Sequence, residues 1–372
     1  MHDLRILALG ALSLYFQSTY GASESIFNPR AYQKSKVTCQ ATNRAEGQET
    51  AVDINLHYVD IQPTSAKATL IMVHGWPGLW TIWSNQIQEL KEDYRLIVPD
   101  LRGFGESTHP GDLRGSGTMP DMVGDLACIL ESAGISSAIC VGHDWGSQVC
   151  YEAARMRPDL FHGVVGAAIP YIPSTGGFFP IERLVVVLPK LNYQLFFNKN
   201  TPEAIAHLDK DVRRTIRATF RTVASPPPDE FLKSPTSFLG AWDDVVEIPP
   251  VPFFTPDEED YFVEQYNIQG FKYTLQFYTE ENRKASWAFS NAQGNHTISQ
   301  PVLSILPTND PVADWSLASK ILKSTDYLPN SKTVFMAGAH WCHLEYPTEF
   351  NAIIRPWLDD VVSKKDAGHD EL

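Results

Sequence analysis

The stretch "ICVGHDWGSQVC", residues 139–150, decides the fold of this chain. Its first residues form an apolar run typical of a buried strand, and the residues after Gly146 continue as a helix. Glycines at positions 142 and 146 allow a strained turn and a close approach of backbones. The pattern predicts a nucleophile elbow, in which a strand turns sharply into a helix and presents one side chain. That side chain is Asp144, where the common elbow has serine.

Other segments on both sides of the elbow alternate between short apolar strands and helices. Strands are predicted in "ATLIMVHGWPGLW" (68–80), "YRLIVPDLRGFGES" (94–107), "SSAICVGHD", "FHGVVGAAI", "QPVLSILPTND" (300–310) and "KTVFMAGAHW" (332–341). Helices are predicted in "MPDMVGDLACILESAGI" (119–135) and "GSQVCYEAARMRP". Such alternation predicts a mainly parallel α/β sheet with helices on both faces, and ligands at the carboxyl ends of its strands.

The pattern changes between about residues 170 and 291, where amphipathic helical segments are broken by proline clusters such as "ASPPPDEF" and "EIPPVPFFTP". This segment is predicted to be a helical lid inserted into the core. The predicted organisation is a signal peptide (1–23), a core in two pieces (24–169 and 292–365), the lid (170–291) and a tail (366–372).

The elbow residue needs an acid and a histidine, in the order nucleophile, acid, histidine. Asp310 follows the strand in "VLSILPTND", and His340 follows the strand in "TVFMAGAH". Together with Asp144 they form the predicted catalytic triad. Asp314 and His343 are alternatives that lie farther from the strand ends.

An oxyanion hole in this arrangement uses the backbone N–H after the nucleophile and one from a loop after an earlier strand. These donors are predicted to be Trp145 and Trp76, the latter in "HGWP" (74–77). His74 is interpreted as a brace of that loop, and His143 as a packing residue.

Taken together, "HGWP", "GHDWG" and "DLRGFGES" resemble the epoxide hydrolases of the α/β-hydrolase fold. The resemblance covers roughly residues 50–165 and 295–360 and extends into the lid. It implies an α/β-hydrolase fold with a lid domain over the strand ends. It also implies that the bond between Trp76 and Pro77 can be cis, which is essentially a proline phenomenon.

Members of that family open an epoxide with the aspartate at the position of Asp144 and hold the epoxide oxygen with two lid tyrosines. "NYQLFF" (192–197) is similar to the first tyrosine motif and implies Tyr193. "QFYTEENRKASW" (276–287) is similar to the second and implies Tyr278, with Tyr273 as its nearest alternative.

The residue types agree with that chemistry. A carboxylate is ionised near neutral pH and can attack a strained ring without a base. Phenols can protonate the developing alkoxide. His340, oriented by Asp310, would then activate water against the ester on Asp144. The substrate would be a small apolar epoxide, and the reaction requires no metal or organic cofactor.

Three other functions use the same scaffold. A haloalkane dehalogenase shares the Asp elbow, but usually carries Asn where this chain has Trp76, and lacks the paired tyrosines. A biosynthetic epoxide-opening cyclase would replace water with a hydroxyl group of the substrate. An inactivated scaffold that only binds would be missing a catalytic residue, and none is missing here.

The net charge indicates which partners are excluded, and the two chain ends indicate where the protein is located. The formal net charge of −14 over 372 residues argues against binding nucleic acid or an anionic membrane surface. The apolar run Ile6–Phe16 is shorter than the roughly 20 residues of a membrane span and fits a signal peptide. A buried segment or an uncleaved anchor is the alternative. The last four residues, "HDEL", predict capture by a retention receptor and the endoplasmic reticulum lumen.

Several side chains carry weaker signals. The five cysteines leave at least one thiol free, and Cys140 and Cys150 are expected to be buried small hydrophobes. Asn295 lies in "NHT", a possible N-glycosylation site. Three aromatic residues could line an apolar pocket or simply pack in the core: Trp80, Trp83 and Phe196.

Overall fold

A computed structural model describes residues 27–369. The predicted signal peptide and the last three residues of the HDEL sequence lie outside the described residues. The chain forms an eight-stranded sheet in the order β1-β2-β4-β3-β5-β6-β7-β8. Its strands are β1 (Lys34–Asn43), β2 (Thr50–Ile61), β3 (Thr69–Val73), β4 (Arg95–Pro99), β5 (Ala138–His143), β6 (Phe161–Ala167), β7 (Val302–Pro307) and β8 (Ser331–Met336).

Strands β3 to β8 are parallel, and β1 and β2 join the edge beside β4 in antiparallel pairing. The predicted α/β-hydrolase fold, with its mainly parallel sheet, is therefore confirmed. Strands β1 and β2 were not predicted. Most of their residues are partly exposed, so they lack the continuous apolar run that marks the central parallel strands.

The helices that pack on this sheet and over its strand ends are α1 (Ser84–Leu90), α2 (Met119–Ser132), α3 (Trp145–Met156), α4 (Ile181–Val187), α5 (Asn192–Lys199), α6 (Thr201–Asp209), α7 (Val212–Thr219), α8 (Pro256–Gln269), α9 (Glu280–Gln293), α10 (Trp315–Leu322), α11 (Cys342–Glu345) and α12 (Pro347–His369). No helix within residues 27–369 is long and apolar enough to cross a bilayer. Helix α12 continues to His369, into the segment predicted as a tail.

Helices α4 to α9 lie between β6 and β7, in the segment predicted as a helical lid. Residues 168–301 are all described and contain no strand. This segment contacts the loop after β3 directly. The Tyr266 hydroxyl donates to the Pro77 carbonyl at 2.8 Å, and the Trp76 indole N–H donates to Thr274 at 3.1 Å. That the segment is a separate domain stays a prediction.

Candidate active site

The turn between β5 and α3 has the geometry of a nucleophile elbow. Asp144 has φ 55° and ψ −127°, a conformation that costs a non-glycine residue about 1–3 kcal/mol. Two neighbouring glycines make the turn possible. A Cβ on Gly146 would lie 2.2 Å from the Val73 carbonyl oxygen, and one on Gly142 would lie 2.3 Å from the Gly146 oxygen. The strand, turn and helix therefore hold the Asp144 carboxylate at the carboxyl edge of the sheet.

The two carboxylate oxygens of Asp144 have different neighbours. The Trp76 backbone N–H donates to Oδ1 at 3.0 Å, as expected for one donor of an oxyanion hole. Oδ2 lies 3.4 Å from His340 Nε2. Trp145 directly follows Asp144 and begins α3, which places the second predicted donor beside the same carboxylate. The bond between Trp76 and Pro77 is cis, as the resemblance implied.

Asp310 and His340 come together behind Asp144. The distance from His340 Nδ1 to Asp310 Oδ2 is 2.7 Å. Asp310 also accepts hydrogen bonds from the Trp315 indole at 2.6 Å and from the Val312 backbone at 2.8 Å. Burial raises the pKa of Asp310, but the charge of His340 and these hydrogen bonds outweigh burial and lower that pKa below its usual range.

His340 lies between two carboxylates. Burial alone would lower the pKa of its imidazole, but the charges and hydrogen bonds of Asp310 and Asp144 outweigh burial and raise it to about 10. The two carboxylates therefore favour the imidazolium form of His340 at neutral pH. Neutralising Asp144 removes one of the two carboxylates that hold the proton on His340.

Both predicted tyrosines face Asp144 from the lid. Tyr193 on α5 and Tyr278 lie with their ring centroids 5.7 Å apart, and both line the same pocket as Asp144. Burial, with a contribution from the Asp144 charge, raises the pKa of each phenol above its ordinary value. Both phenols therefore keep their protons at neutral pH and can donate them.

A hydrogen-bonded chain leads away from Tyr193. The Gln194 side-chain N–H donates to the Tyr193 oxygen at 3.2 Å, and Arg283 donates to Gln194 Oε1 at 3.1 Å. The Arg283 guanidinium also lies 5.9 Å from the ring centre of Trp145. Sequence reasoning missed Gln194 and Arg283, because only the packing of α9 against α5 brings them together.

The pocket that contains these groups is open to solvent on one side, and its space, with the open mouth included, is about 500 Å³. Apolar side chains from the lid and from the loops after β7 and β8 form most of its wall, and Arg221 adds a charged group. Besides Asp144, His340 and the two tyrosines, it is lined by Trp76, Thr219, Arg221, Pro227, Phe231, Leu232, Phe238, Pro311, Val312 and Trp341.

The alternative residues have other partners. Asp314 caps α10 by accepting from the Leu317 N–H at 2.9 Å. His343 is buried against Trp83 and His143. Tyr273 stacks on His109 with ring centroids 4.4 Å apart. None of the three lines the pocket described above.

The two other histidines near the elbow support the loops. His74 Nε2 accepts from the Leu101 N–H at 3.0 Å, and its Nδ1–H donates to the Gly75 carbonyl, so it braces the loop after β3 as predicted. His143 does more than pack, which corrects the earlier interpretation. Its Nε2 lies 2.8 Å from the His340 carbonyl, which fixes the backbone that carries the imidazole.

The cysteine prediction was wrong for two residues. Cys140 and Cys150 form a disulfide, since the sharp elbow folds α3 back along β5 and brings their Cα atoms to 5.3 Å. Cys39 and Cys128 form a second disulfide. Cys342 is buried with a free thiol.

The remaining predicted side chains have clear positions. Trp80 donates to the Tyr261 hydroxyl at 3.0 Å, Trp83 packs on His343, and Phe196 packs on Phe197. These three aromatic residues therefore pack in the interior and do not line this pocket.

Asn295 is exposed, in the loop between α9 and β7. No group of His, Cys, Asp or Glu among residues 27–369 is arranged to hold a metal ion.

A strained Asp elbow, an Asp–His pair and a backbone donor at the ends of parallel strands define an α/β-fold site for nucleophilic catalysis. The chain belongs to the α/β-hydrolase fold family, whose model matches residues 68–347.

Several known proteins are similar to this chain. Bifunctional epoxide hydrolase 2 of Rattus norvegicus is 27% identical over 330 residues, which cover 87% of this chain and 57% of the rat protein. Epoxide hydrolase A of Mycobacterium tuberculosis is 25% identical over 296 residues, covering 78% of this chain and 89% of the relative. The chain thus spans little more than half the length of the bifunctional mammalian relatives that it matches.

Among solved structures, epoxide hydrolase A from Mycobacterium thermoresistibile matches with a TM-score of 0.69 and 25% identity. The match covers 86% of this chain and 97% of that chain.

Proposed function

We propose that this protein hydrolyses epoxides to vicinal diols through a covalent ester on Asp144. The observation that carries the proposal is the arrangement of one pocket, where a carboxylate nucleophile faces two phenols. A carboxylate can form an ester with an alkyl electrophile, and a phenol can protonate the oxygen that leaves. The names of the similar proteins, epoxide hydrolases with and without a second activity, support the same reaction.

In the first half-reaction, Oδ2 of Asp144 attacks an epoxide carbon and the carbon–oxygen bond of the ring breaks. Tyr193 and Tyr278 hold the epoxide oxygen, and one of them transfers its proton to the developing alkoxide. Oδ2 is the attacking atom because Oδ1 is held by the Trp76 N–H at 3.0 Å. The new bond therefore forms at Oδ2, and Oδ1 becomes the carbonyl oxygen of the ester.

In the second half-reaction, His340 removes a proton from water, which attacks the ester carbonyl carbon. Esterification has removed the negative charge of Asp144, so the imidazolium loses one of the carboxylates that raised its pKa. It gives its proton, through water, to the tyrosinate left by ring opening, and the neutral imidazole then acts as the base. The charge that develops on Oδ1 is stabilised by the N–H groups of Trp76 and Trp145. The ester bond then breaks, and the diol leaves with a proton returned by His340. The proton left on the Asp144 carboxyl group passes to the imidazole, which restores the imidazolium and the carboxylate of the resting site.

A dehalogenase is less well supported. The indole N–H of Trp76 donates to Thr274 at 3.1 Å. This donor is therefore not available to bind a halide ion. No feature of the described residues favours cyclisation over hydrolysis.

The proposed location is the lumen of the endoplasmic reticulum, with retention through HDEL. The paired cysteines Cys39–Cys128 and Cys140–Cys150 support an oxidising compartment. The exposure of Asn295 supports N-glycosylation there.

The test is a single turnover in heavy-oxygen water with styrene oxide and other simple epoxides, followed by mass mapping of the peptide around Asp144. We expect diol formation, with the label appearing first in the Asp144 carboxylate. Asp144→Ala should form neither ester nor diol. Folded wild-type protein that traps no ester and forms no diol with any epoxide would contradict the proposal.

A further inference from the structure

Arg221 is the one arginine or lysine among the described residues that line the active-site pocket. The side chain is buried, with 3% of the residue exposed. Most of the wall around it is apolar, including Phe231, Leu232 and Phe238. A buried guanidinium in an apolar wall is costly unless a partner compensates its charge.

Within the described part of the chain, Arg221 forms hydrogen bonds only to uncharged backbone carbonyls, so its positive charge has no partner of opposite charge in contact with it. Its guanidinium donates to the backbone carbonyls of Phe220 at 3.0 Å, Pro249 at 3.3 Å and Pro250 at 2.8 Å. A guanidinium has five N–H donors. These three contacts orient the group and leave two N–H donors without a partner among the described residues. Among residues 27–369, no carboxylate forms an ion pair with Arg221.

Two neighbouring arginines have the carboxylate partner that Arg221 lacks. Arg213 and Arg217 lie on α7 at four-residue spacing before Arg221, and both donate to Oε1 of Glu259, at 2.6 and 2.8 Å. Oε2 of Glu259 accepts from the Val251 N–H at 3.2 Å. Both oxygens of Glu259 therefore already have partners. Its charge acts on Arg221, the next arginine in the row, only at a distance, and Arg221 lines the pocket instead.

The segment that carries Arg221 is fixed to the catalytic loop. The Phe220 ring stacks on the Trp341 ring with centroids 4.1 Å apart, and the Trp341 indole donates to the Thr219 carbonyl at 3.2 Å. Trp341 directly follows His340. Arg221 is thus held at a fixed place relative to the reacting groups, within the same pocket.

We propose that Arg221 is an anion-binding subsite, and that the physiological epoxide carries a carboxylate close to its ring. The carboxylate would pair with the unused guanidinium donors while the epoxide lies between Asp144 and the tyrosines. Paired charged hydrogen bonds give both energy and orientation. Because Arg221 lines the same pocket as Asp144 and the two tyrosines, the carboxylate and the epoxide would belong to one molecule. This inference rests on the proposed function, whose substrate it narrows.

The kinetic test uses terminal-epoxide carboxylic acids of increasing chain length, each paired with its methyl ester. We expect the wild type to prefer the acid at one chain length. Arg221→Gln should lower kcat/KM for that acid by about 10- to 100-fold, the range for a charged hydrogen bond. It should lower kcat/KM for the ester by a clearly smaller factor, so that the preference for the acid is lost. Equal losses for acid and ester would overturn the proposal.

Arg214→Gln is the matched control. Arg214 also donates to lid carbonyls, those of Trp242, Val245 and Val246, but it does not line the pocket. A purely structural role for Arg221 predicts the same result from both variants: lower stability and an unchanged preference for acid over ester. Loss of the preference in Arg221→Gln alone supports the subsite.

A binding experiment separates this inference from the proposed reaction. Calorimetry would compare the saturated acid and its methyl ester on the wild type and on Arg221→Gln. Binding of the acid that depends on Arg221 supports the subsite even if no epoxide is hydrolysed, in which case only the reaction fails. Equal binding of acid and ester overturns the subsite even if simple epoxides are hydrolysed.

Discussion

The site has two halves that are built in different ways. In the core half, Asp144, Asp310 and His340 each follow a parallel strand, and strand geometry fixes where they meet. In the lid half, Tyr193, Tyr278 and Arg221 are positioned by contacts between helices and loops far apart in the chain. In the proposed mechanism, the core half therefore supplies the nucleophile and the base, and the lid half supplies the groups that bind and protonate the substrate. Substitutions in the two halves should therefore slow different steps of the reaction.

The largest effect is expected in the core half, on removal of the base. His340→Gln should slow turnover by about 10²- to 10⁴-fold, because water is no longer activated against the ester. The ester on Asp144 should therefore accumulate, and intact-protein mass after mixing with epoxide would detect it. Asp144→Asn, which cannot form the ester as the wild type does, is the control. Slow turnover without any trapped ester would show that His340 acts before the ester forms.

The next effect concerns how the core is held together. Both disulfides are in the core, and the lid segment 170–291 contains no cysteine. Replacing Cys39 and Cys128 with alanine should lower the free energy of unfolding by about 2–4 kcal/mol, since the bond closes a loop of 89 residues. Urea unfolding would measure this, with Cys342→Ala, which removes the free thiol, as control. Equal stability of the double variant and the wild type would contradict the prediction.

The lid half should show a smaller loss with a different signature. Tyr193→Phe or Tyr278→Phe should each lower kcat/KM by about 10- to 100-fold, because one phenol remains to assist ring opening. Unlike His340→Gln, these variants should slow formation of the ester, so no ester should accumulate. Single-turnover kinetics would separate the two steps. Ester accumulation in a tyrosine variant would contradict the assignment of the phenols to ring opening.

The same contrast explains what could be predicted from sequence. Asp144, Asp310 and His340 were found because each follows an apolar strand, and an elbow requires glycine at fixed positions. Tyr193 and Tyr278 were found only through resemblance to a family, since nothing local distinguishes a pocket tyrosine from a packed one. Arg221, Gln194 and Arg283 were not found. Their environments depend on which lid segments meet, and helical periodicity carries no information about that.

The disulfide between Cys140 and Cys150 shows a second reason for failure. Each cysteine lies in a fully buried element, so small hydrophobic packing was the simpler interpretation. The pairing follows from the predicted reversal of the chain at Asp144, which places residues on the two sides of the turn beside each other. The nucleophile-elbow motif therefore already implies that Cys140 and Cys150 lie close together.

A pH dependence of stability is expected from the core half. The folded protein keeps a proton on His340 up to about pH 10, whereas an unfolded histidine releases it near 6.5. The stability contributed by this imidazolium is therefore fully present below about pH 6.5 and is lost as the pH rises through about 10. Between pH 7 and 9, the free energy of unfolding should fall by about 2–3 kcal/mol. His340→Gln should flatten this dependence, and an equal slope in that variant would contradict the assignment.

The smallest effect is expected within the lid, in the chain from Arg283 through Gln194 to Tyr193. The Gln194 amide donates to the phenol oxygen, which leaves the Tyr193 O–H available to donate to a substrate. In the proposed mechanism the Arg283 cation stabilises the phenolate that forms. Arg283→Met should lower kcat/KM by about three- to tenfold, consistent with a charge that acts through an intermediary. In a Tyr193→Phe background the same substitution should cost almost nothing, since the phenolate no longer forms. A double-mutant cycle measures this coupling, and independent, multiplicative losses would show that Arg283 acts on packing of the lid instead of on Tyr193.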